Sequence, residues 1–196
     1  MTTTTQKPVA IIYHKADWDG KLSNEVCRHF LIKEGRQPDG IHSFGWDYGD
    51  QLPEAPIPWE DYHQIYIIDL SVEELMNRTE LHDKIRWIDH HKSAIEKHGL
   101  LGLMGLRIDG VAACRLCWAY HRSGGYSDLG AGDRMPDEPE LIYLAGIYDV
   151  WLKNHPRFED AKNLQFGLNA LTQEDLQNLI DAQLEKFVGI DIERTI

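Results

Sequence analysis

The sequence predicts an α/β fold: a mostly parallel Rossmann-like sheet flanked by helices, with a helical C-terminal extension. Short apolar runs rich in β-branched residues alternate with segments of helical periodicity, which is the pattern of parallel strands joined by helical crossovers. The chain has 196 residues, of which 42% are hydrophobic and 27% charged, close to the averages for a globular domain. We therefore treat residues 1–196 as one domain, in which 1–7 are expected to be flexible and 156–196 to form the helical extension.

The first half of the chain predicts two strands and one helix. Residues 8–14 form an apolar run typical of a buried strand, and the turn-forming residues 17–20 end it. Residues 21–35 carry apolar side chains at helical spacing. A short strand is expected at 41–44, and the Gly-, Pro-, Asp- and Trp-rich stretch that follows it is expected to be an irregular surface segment.

The second half predicts two more strands and then mainly helices. The apolar runs at 64–70 and 84–88 are the strands, and Ser71 is a good N-cap for a helix after the first of them. An amphipathic helix is expected at 111–121 and a further helix, which carries Asp149, at 140–151, and a turn-rich loop separates them. The tail over 158–187 is expected to be helical, with Thr172 and Asp175 as a cap signature.

Composition excludes several classes of function. The 20 basic and 32 acidic residues give a net charge of −12, which argues against a surface that grips long nucleic-acid duplexes. No apolar run reaches the roughly 18 residues that a bilayer span needs, and no signal peptide is apparent, so we expect no membrane partner and a cytoplasmic location. Three cysteines are too few for a disulfide framework, and Cys114 and Cys117 are expected to be core residues rather than zinc ligands.

Four aromatic residues crowd the predicted surface segment and allow two interpretations. They could stack on bases, as in proteins that bind single strands, or they could pin the segment onto the core. We favour the second interpretation for this set: Trp46, Tyr48, Trp59 and Tyr62.

Acidic and imidazole side chains follow the predicted strands, and one more lies on a later helix: His14, Asp17, Asp19, Asp69, Asp89, His90, His91 and Asp149. The carboxyl ends of parallel strands meet at one edge of a sheet, so we expect these side chains to converge. So many carboxylates cannot all stay charged in one pocket unless cations neutralise them. Their number suits two divalent cations, and the histidines favour Mn²⁺ over Mg²⁺, which is the alternative.

Taken in order, the motifs resemble the four successive motifs of the DHH phosphoesterase superfamily: His14-x-x-Asp17-x-Asp19-Gly20, Asp69 after an apolar strand, Asp89-His90-His91, and Gly146-Ile147-Tyr148-Asp149. The resemblance covers residues 14–149 and implies a DHH-type catalytic domain. It implies hydrolysis of phosphodiester bonds in short oligonucleotides or linear and cyclic dinucleotides, by a hydroxide shared between two metal ions.

The resemblance also implies individual roles. One ion would be held by His14, Asp17 and Asp69, and the second by Asp19, Asp69, His90 and Asp149, with Asp69 bridging. Asp89 and His91 would be catalytic, Asp89 by orienting a metal-ligand histidine and His91 by contacting phosphate and assisting the leaving group. Substrate contacts would come from His91, Lys92 and Arg115.

Two other functions stay open, namely an inorganic pyrophosphatase-like hydrolase and a non-catalytic nucleotide-binding module. After Asp149 we find no counterpart of the glycine-rich substrate-binding domain of two-domain family members. The expected ligand is therefore a small nucleotide or a short single-stranded nucleic acid, or else a homodimer mate or partner chain closes the site.

Overall fold

Four parallel strands form one sheet, in the order β2-β1-β3-β4. The computed structural model describes residues 6–50, 57–123 and 129–185. The strands are β1 (Val9–His14), β2 (Ile41–Trp46), β3 (Gln64–Ile68) and β4 (Ile85–Ile88). The predicted α/β class with a parallel sheet flanked by helices is therefore confirmed. Strand β2 is two residues longer than predicted because its pairing with β1 continues to the His14–Trp46 pair.

Seven α-helices surround the sheet in the described ranges: α1 (Trp18–Lys33), α2 (Glu73–Met76), α3 (Lys92–His98), α4 (Ala113–Ser123), α5 (Glu140–Asp149), α6 (Phe158–Ala170) and α7 (Gln173–Glu185). The predicted C-terminal helical tail is thus two helices. The Thr172 hydroxyl accepts the N–H of Asp175 at 3.2 Å and caps the second one, as its sequence predicts. Residues 1–5 of the segment predicted to be flexible, and 186–196 of the extension, lie outside the described residues.

Successive side chains of each strand point to opposite faces of the sheet, so the apolar core is divided into two parts, one on each face. In β1, Val9 and Ile11 pack into the larger core with α1, α4 and α5, whereas Ala10 and Ile12 face the smaller core on the other side. All four side chains are fully buried. Burial of each large aliphatic side chain stabilises the fold by about 1.5–3 kcal/mol, so β1 anchors both layers at the centre of the sheet.

Three of the four aromatic residues in the predicted surface segment belong to the smaller core. Trp59 and Tyr62 are buried, and Trp46 packs against them in part. The interpretation that such aromatics pin the segment onto the core is therefore confirmed for these three. Tyr48 is the exception, because 59% of its surface is exposed.

The three cysteines are free thiols in the interior, as expected of core residues. Cys27, Cys114 and Cys117 all belong to the larger core. Across the described ranges, the structure contains no helix with both the length and the apolar character needed to cross a bilayer.

Candidate metal centre

The candidate centre lies at the carboxyl edge of the sheet. His14 is the last residue of β1, Asp69 follows β3, and Asp89 follows β4. The chain order changes direction at β1, since β2 lies on one side of it and β3 on the other. In open α/β sheets, such a switch point leaves a crevice in which ligands bind. The structure therefore brings the predicted strand-end residues to the place where this fold class binds its ligands.

Asp69 occupies the middle of the cluster in an unfavourable backbone conformation. Its φ is +62°, in the left-handed region that non-glycine residues rarely adopt, although aspartate tolerates it better than most. The side chain is 1% exposed, and neither carboxylate oxygen has a hydrogen-bond partner in the described part of the chain. Backbone strain and two unsatisfied buried oxygens together are costly, which is typical of a functional position.

The first ligand group, which we call the His14 group, consists of His14, Asp17 and Asp69. His14 Nδ1 lies 2.9 Å from Asp17 Oδ2 and 3.5 Å from Asp69 Oδ2, yet it makes no hydrogen bond within the described ranges. Its other nitrogen, Nε2, lies 3.2 Å from Asp47 Oδ1. A carboxylate can only accept, so Nε2 donates there, and in a neutral ring this leaves the Nδ1 lone pair facing Asp17 and Asp69.

The second group, which we call the His90 group, consists of Asp19, His90 and Asp149. His90 Nε2 lies 3.4 Å from Asp149 Oδ2 and 3.5 Å from Asp19 Oδ2. It also lies 3.2 Å from Asp69 Oδ1. Asp149 Oδ2 is buried without a hydrogen-bond partner among the described residues. In each group, the candidate ligand atoms all lie within 4.8 Å of one another, so each group could hold a metal ion.

Asp69 connects the two groups through its two oxygens. Oδ2 faces His14, and Oδ1 faces His90. This is the arrangement of a carboxylate able to bridge two cations. The Asp69 oxygens and His14 Nδ1, which form no hydrogen bond among the described residues, and a donor set without thiolate all fit hard or borderline divalent ions.

The pKa values of the two histidines indicate that, without a metal ion, protonated imidazoles supply positive charge to the cluster. The carboxylate of Asp69, helped by Asp17, raises the pKa of His14 to about 9. Burial disfavours the charged form of His90, but the carboxylates of Asp69, Asp19 and Asp149 outweigh it and raise its pKa to about 9. Two imidazolium ions therefore neutralise part of the acidic cluster at neutral pH.

The acidic members respond to the same balance. Burial alone would raise the pKa of Asp69, but the His14 and His90 imidazoles outweigh it and lower that pKa. Burial raises the pKa of Asp149 to about 6. Burial, with the charges of Asp149 and Asp69, also raises the pKa of Asp19 well above its ordinary value. The cluster thus has more carboxylates than its own imidazoles can neutralise.

Asp19 also holds the start of α4, a contact that sequence reasoning did not anticipate. Its Oδ2 and Oδ1 accept the N–H groups of Ala113 and Cys114, each at 2.7 Å. A carboxylate at a helix N-terminus satisfies unpaired N–H groups and meets the positive end of the helix dipole. The same Oδ2 faces His90, so this residue links the position of α4 to the centre.

Two glycines in the motifs are explained by close approaches of the backbone. A Cβ added at Gly20 would lie 1.9 Å from the carbonyl oxygen of His14, so only glycine lets α1 begin beside the end of β1. A Cβ at Gly146 would lie 2.3 Å from Cδ of Arg115, where α5 packs against α4. Both glycines therefore set the distance at which neighbouring elements deliver candidate ligands.

Asp89 orients His91 rather than His90. Asp89 Oδ1 accepts the backbone N–H groups of His90 (2.7 Å) and His91 (3.0 Å), and it also accepts Nδ1–H of His91 at 2.8 Å. Its Oδ2 accepts the indole N–H of Trp87 at 3.2 Å. The hydrogen bond to Asp89 raises the pKa of His91, whose side chain is 42% exposed. Asp89 thereby fixes the orientation of the His91 ring and leaves Nε2 as the ring nitrogen that it does not engage.

The prediction that Arg115 contacts substrate is wrong. Its side chain is fully buried, with Nε and Nη2 donating to Glu138 at 2.6 and 2.9 Å. The remaining donors bind the carbonyl oxygens of Ala131 (2.7 Å) and Asp133. Its acidic partner lies 23 residues away in the turn-rich loop, so a helix pattern alone gave no sign of the pair.

Lys92 begins α3 immediately after His91, and its side chain is largely exposed. Its Nζ is 4.0 Å from Glu96, a weak surface contact that leaves it able to reorient. Its predicted contact with substrate stays a prediction.

Asp47 is a site residue that sequence reasoning missed. It was placed in an irregular surface segment, although it directly follows β2, whose end lies beside the end of β1. Parallel pairing of Trp46 with His14 is what brings Asp47 to the His14 ring. Because the strand is predicted to end at residue 44, Asp47 does not directly follow it, and the acidic-residue signal that marks the ends of β3 and β4 is absent here.

Comparison of the chain with known protein families and with curated proteins finds no match. The function has therefore to be argued from the geometry and chemistry of the centre.

Proposed function

We propose that this protein is a two-metal phosphoesterase of the DHH type, which hydrolyses phosphodiester bonds in short oligonucleotides or in linear or cyclic dinucleotides. The observation that carries the proposal is the position of Asp69, whose two unsatisfied oxygens face two separate ligand groups. A purely structural salt-bridge cluster would hold each of these buried oxygens in a well-aligned hydrogen bond, whereas each of them faces an imidazole nitrogen without forming one.

The donor set supports Mn²⁺ as the preferred ion, with Mg²⁺ as the alternative. Two imidazoles and four carboxylates surround the centre, and the mixture is less suited to Mg²⁺, which prefers oxygen ligands and retained water. Divalent ions held by the two groups would supply Lewis acidity for the attack of water on phosphorus and would offset charge on the phosphoryl oxygens.

The protein's own contribution to the chemistry is orientation and proton transfer. Asp47 holds His14 with Nδ1 turned to the centre, and Asp89 holds His91 with its Nδ1–H engaged. The exposed Nε2 of His91 can then donate a proton to the leaving oxygen of a substrate at the centre. The strained Asp69 backbone keeps its carboxylate between the groups before any ligand arrives.

The test is a substrate panel in the presence of Mn²⁺, containing the dinucleotide pApA, two- to five-residue RNA and DNA, cyclic dinucleotides and pyrophosphate. We expect release of mononucleotides, and we expect His90→Ala to reduce turnover by about a hundredfold or more, since mutating a residue that only orients a metal ligand already costs about 10- to 100-fold. His63→Ala is the matched control, because His63 is exposed and precedes β3 at the opposite edge of the sheet.

Each other outcome assigns a different function. Faster phosphate release from pyrophosphate than product release from pApA would replace the proposal with the pyrophosphatase alternative. Tight binding of nucleotide with no product, at full Mn²⁺ loading, would replace it with the non-catalytic nucleotide-binding module. Turnover that persists in His90→Ala would refute the assignment of the centre.

A further inference from the structure

Among the described residues, three aromatic side chains are largely exposed, and two of these belong to segments that form the candidate centre. Tyr48 is 59% exposed, Trp151 is 50% exposed, and Phe166 on α6 is 65% exposed. The first follows Asp47, and the second comes two residues after Asp149. Single exposed rings are common on protein surfaces, so it is the position of Tyr48 and Trp151 next to candidate ligands, rather than their exposure alone, that distinguishes them from Phe166.

Tyr48 is held beside the His14 group by the same carboxylate that orients the histidine. Its backbone N–H donates to Asp47 Oδ1 at 2.7 Å, and His14 Nε2 contacts that same oxygen at 3.2 Å. The Tyr48 and His14 ring centroids are 6.0 Å apart. Partial burial raises the pKa of the Tyr48 hydroxyl, and hydrogen bonding to Ser71, two residues after Asp69, opposes part of that rise.

Trp151 lies two residues beyond Asp149 of the His90 group in the chain and has a strained backbone conformation. Its φ is +54°, which costs a bulky side chain on the order of 1–3 kcal/mol. Its N–H donates to the carbonyl of Tyr148 at 3.0 Å, and its carbonyl accepts from Lys153 at 2.8 Å. The ring packs edge-on against Tyr148 and Phe158, and the Lys153 ammonium lies 5.0 Å from the ring centroid.

Exposed aromatic faces next to a phosphate-binding centre suit nucleobases more than other groups. Every base has a flat π-face, and stacking on an aromatic side chain is tolerant of sequence. A net charge of −12 leaves little general attraction for a nucleic-acid backbone, so stacking is the interaction most able to hold the rest of a short nucleotide. Trp59 and Tyr62 of that segment are buried and Trp46 is partly buried, so Tyr48 is the aromatic residue of the segment with the most exposed side chain.

We propose that Tyr48 and Trp151 are stacking surfaces for the nucleobases of a short nucleotide whose phosphate lies at the candidate metal centre. The inference rests on the proposed function only in placing a phosphate at that centre. It assigns the substrate class as base-bearing phosphoesters, in contrast to pyrophosphate or sugar phosphates.

The test compares the affinities of AMP and ribose 5-phosphate for the Mn²⁺-loaded protein by calorimetry. The two ligands share the same sugar and phosphate and differ only in the base. We expect the protein to bind AMP about 5- to 150-fold more tightly, the range that follows from about 1–3 kcal/mol for stacking one base. A ratio near one would overturn the proposal.

Variants test whether the preference for AMP over ribose 5-phosphate comes from the rings of Tyr48 and Trp151. Tyr48→Ala and Trp151→Ala should each lower the affinity ratio, and the double variant should bring it near one. Tyr48→Phe should keep the ratio, because it keeps the stacking face. Phe166→Ala is the matched control, an exposed aromatic on α6 for which we expect the wild-type ratio. An unchanged ratio in either alanine variant would overturn the role of that residue.

Control measurements distinguish a loss of base stacking from misfolding and from a failure of the proposed function. Mn²⁺ stoichiometry and thermal unfolding are measured on each variant, and Trp151→Leu replaces Trp151→Ala if the latter does not fold, since it keeps apolar contact with Tyr148 and Phe158 but removes the flat ring. Neither ligand contains a phosphodiester bond, so the ratio is independent of turnover. A base preference without hydrolysis would overturn the proposed function alone, and hydrolysis without a base preference would overturn the stacking alone.

Discussion

In the metal-free centre, protons hold positions that cations would have to take. The pKa values of His14 and His90 are raised to about 9, so both imidazoles are protonated at neutral pH. A metal ion binds only the neutral imidazole. His14 belongs to one ligand group and His90 to the other, and each ion should therefore displace about one proton when it binds.

The sign and size of the pH dependence of Mn²⁺ affinity follow from this exchange of protons for metal ions. A ligand that displaces one proton binds about tenfold more tightly for each unit by which the pH rises, as long as the pH stays below the raised pKa. From pH 7 to pH 9, we expect the dissociation constant of each Mn²⁺ ion to fall by about fiftyfold, because about half of each imidazole is already neutral at a pH equal to its pKa. Above pH 9 the dependence should flatten, and below pH 6 it should steepen as Asp149 takes up a proton.

Calorimetric titration with Mn²⁺ in two buffers of different ionisation enthalpy counts these protons. We expect about two released per chain at pH 7.5, about one released in His90→Gln, and no change in His63→Ala. An affinity that stays constant between pH 7 and pH 9, or binding without proton release, would refute the reasoning.

Three further predictions concern stability and are measured by thermal or denaturant unfolding. Arg115→Met should destabilise the fold by about 3–5 kcal/mol, because it leaves Glu138 buried without its partner. A loss under about 1 kcal/mol would contradict the structural role of the buried Arg115–Glu138 ion pair. Gly20→Ala should lower both stability and Mn²⁺ affinity, because its Cβ would meet the His14 carbonyl, while Gly40→Ala, with open space around it, should remain within about 0.5 kcal/mol of the wild type. The free energy of unfolding of the metal-free protein should fall as the pH rises from 6.5 through 9, because His14 and His90 have raised pKa values in the folded state. Saturating Mn²⁺ should remove that loss. A metal-free stability that increases over this pH range would argue against protonated histidines at the centre.

The order of the elements could be predicted from the sequence because the strands are buried on both faces. Runs such as residues 9–12 are apolar at every position, and the acidic residues that follow them mark where the strands end. The same signal placed Asp69 and Asp89 at the correct edge, since parallel strands share their direction. The predicted candidate ligands converge because the fold class itself dictates it.

Contacts between distant parts of the chain could not be predicted in this way. The hydrogen bonds from Ala113 and Cys114 to Asp19 span more than 90 residues and depend on how α4 packs against α1. The Arg115–Glu138 pair depends on the course of a loop without periodicity. Such pairs are set by tertiary packing, which the local pattern of apolar and polar residues in the sequence does not reveal.

The central claim is that Asp69 bridges two divalent cations, and a count of bound Mn²⁺ tests it most directly. After equilibrium dialysis, elemental analysis of the wild-type protein should give two Mn²⁺ per chain, and its electron paramagnetic resonance spectrum should show a spin-coupled pair. Asp69→Asn should lose the coupled spectrum and at least one of the ions. A wild-type count of one or none, or a coupled pair that persists in Asp69→Asn, would contradict the account.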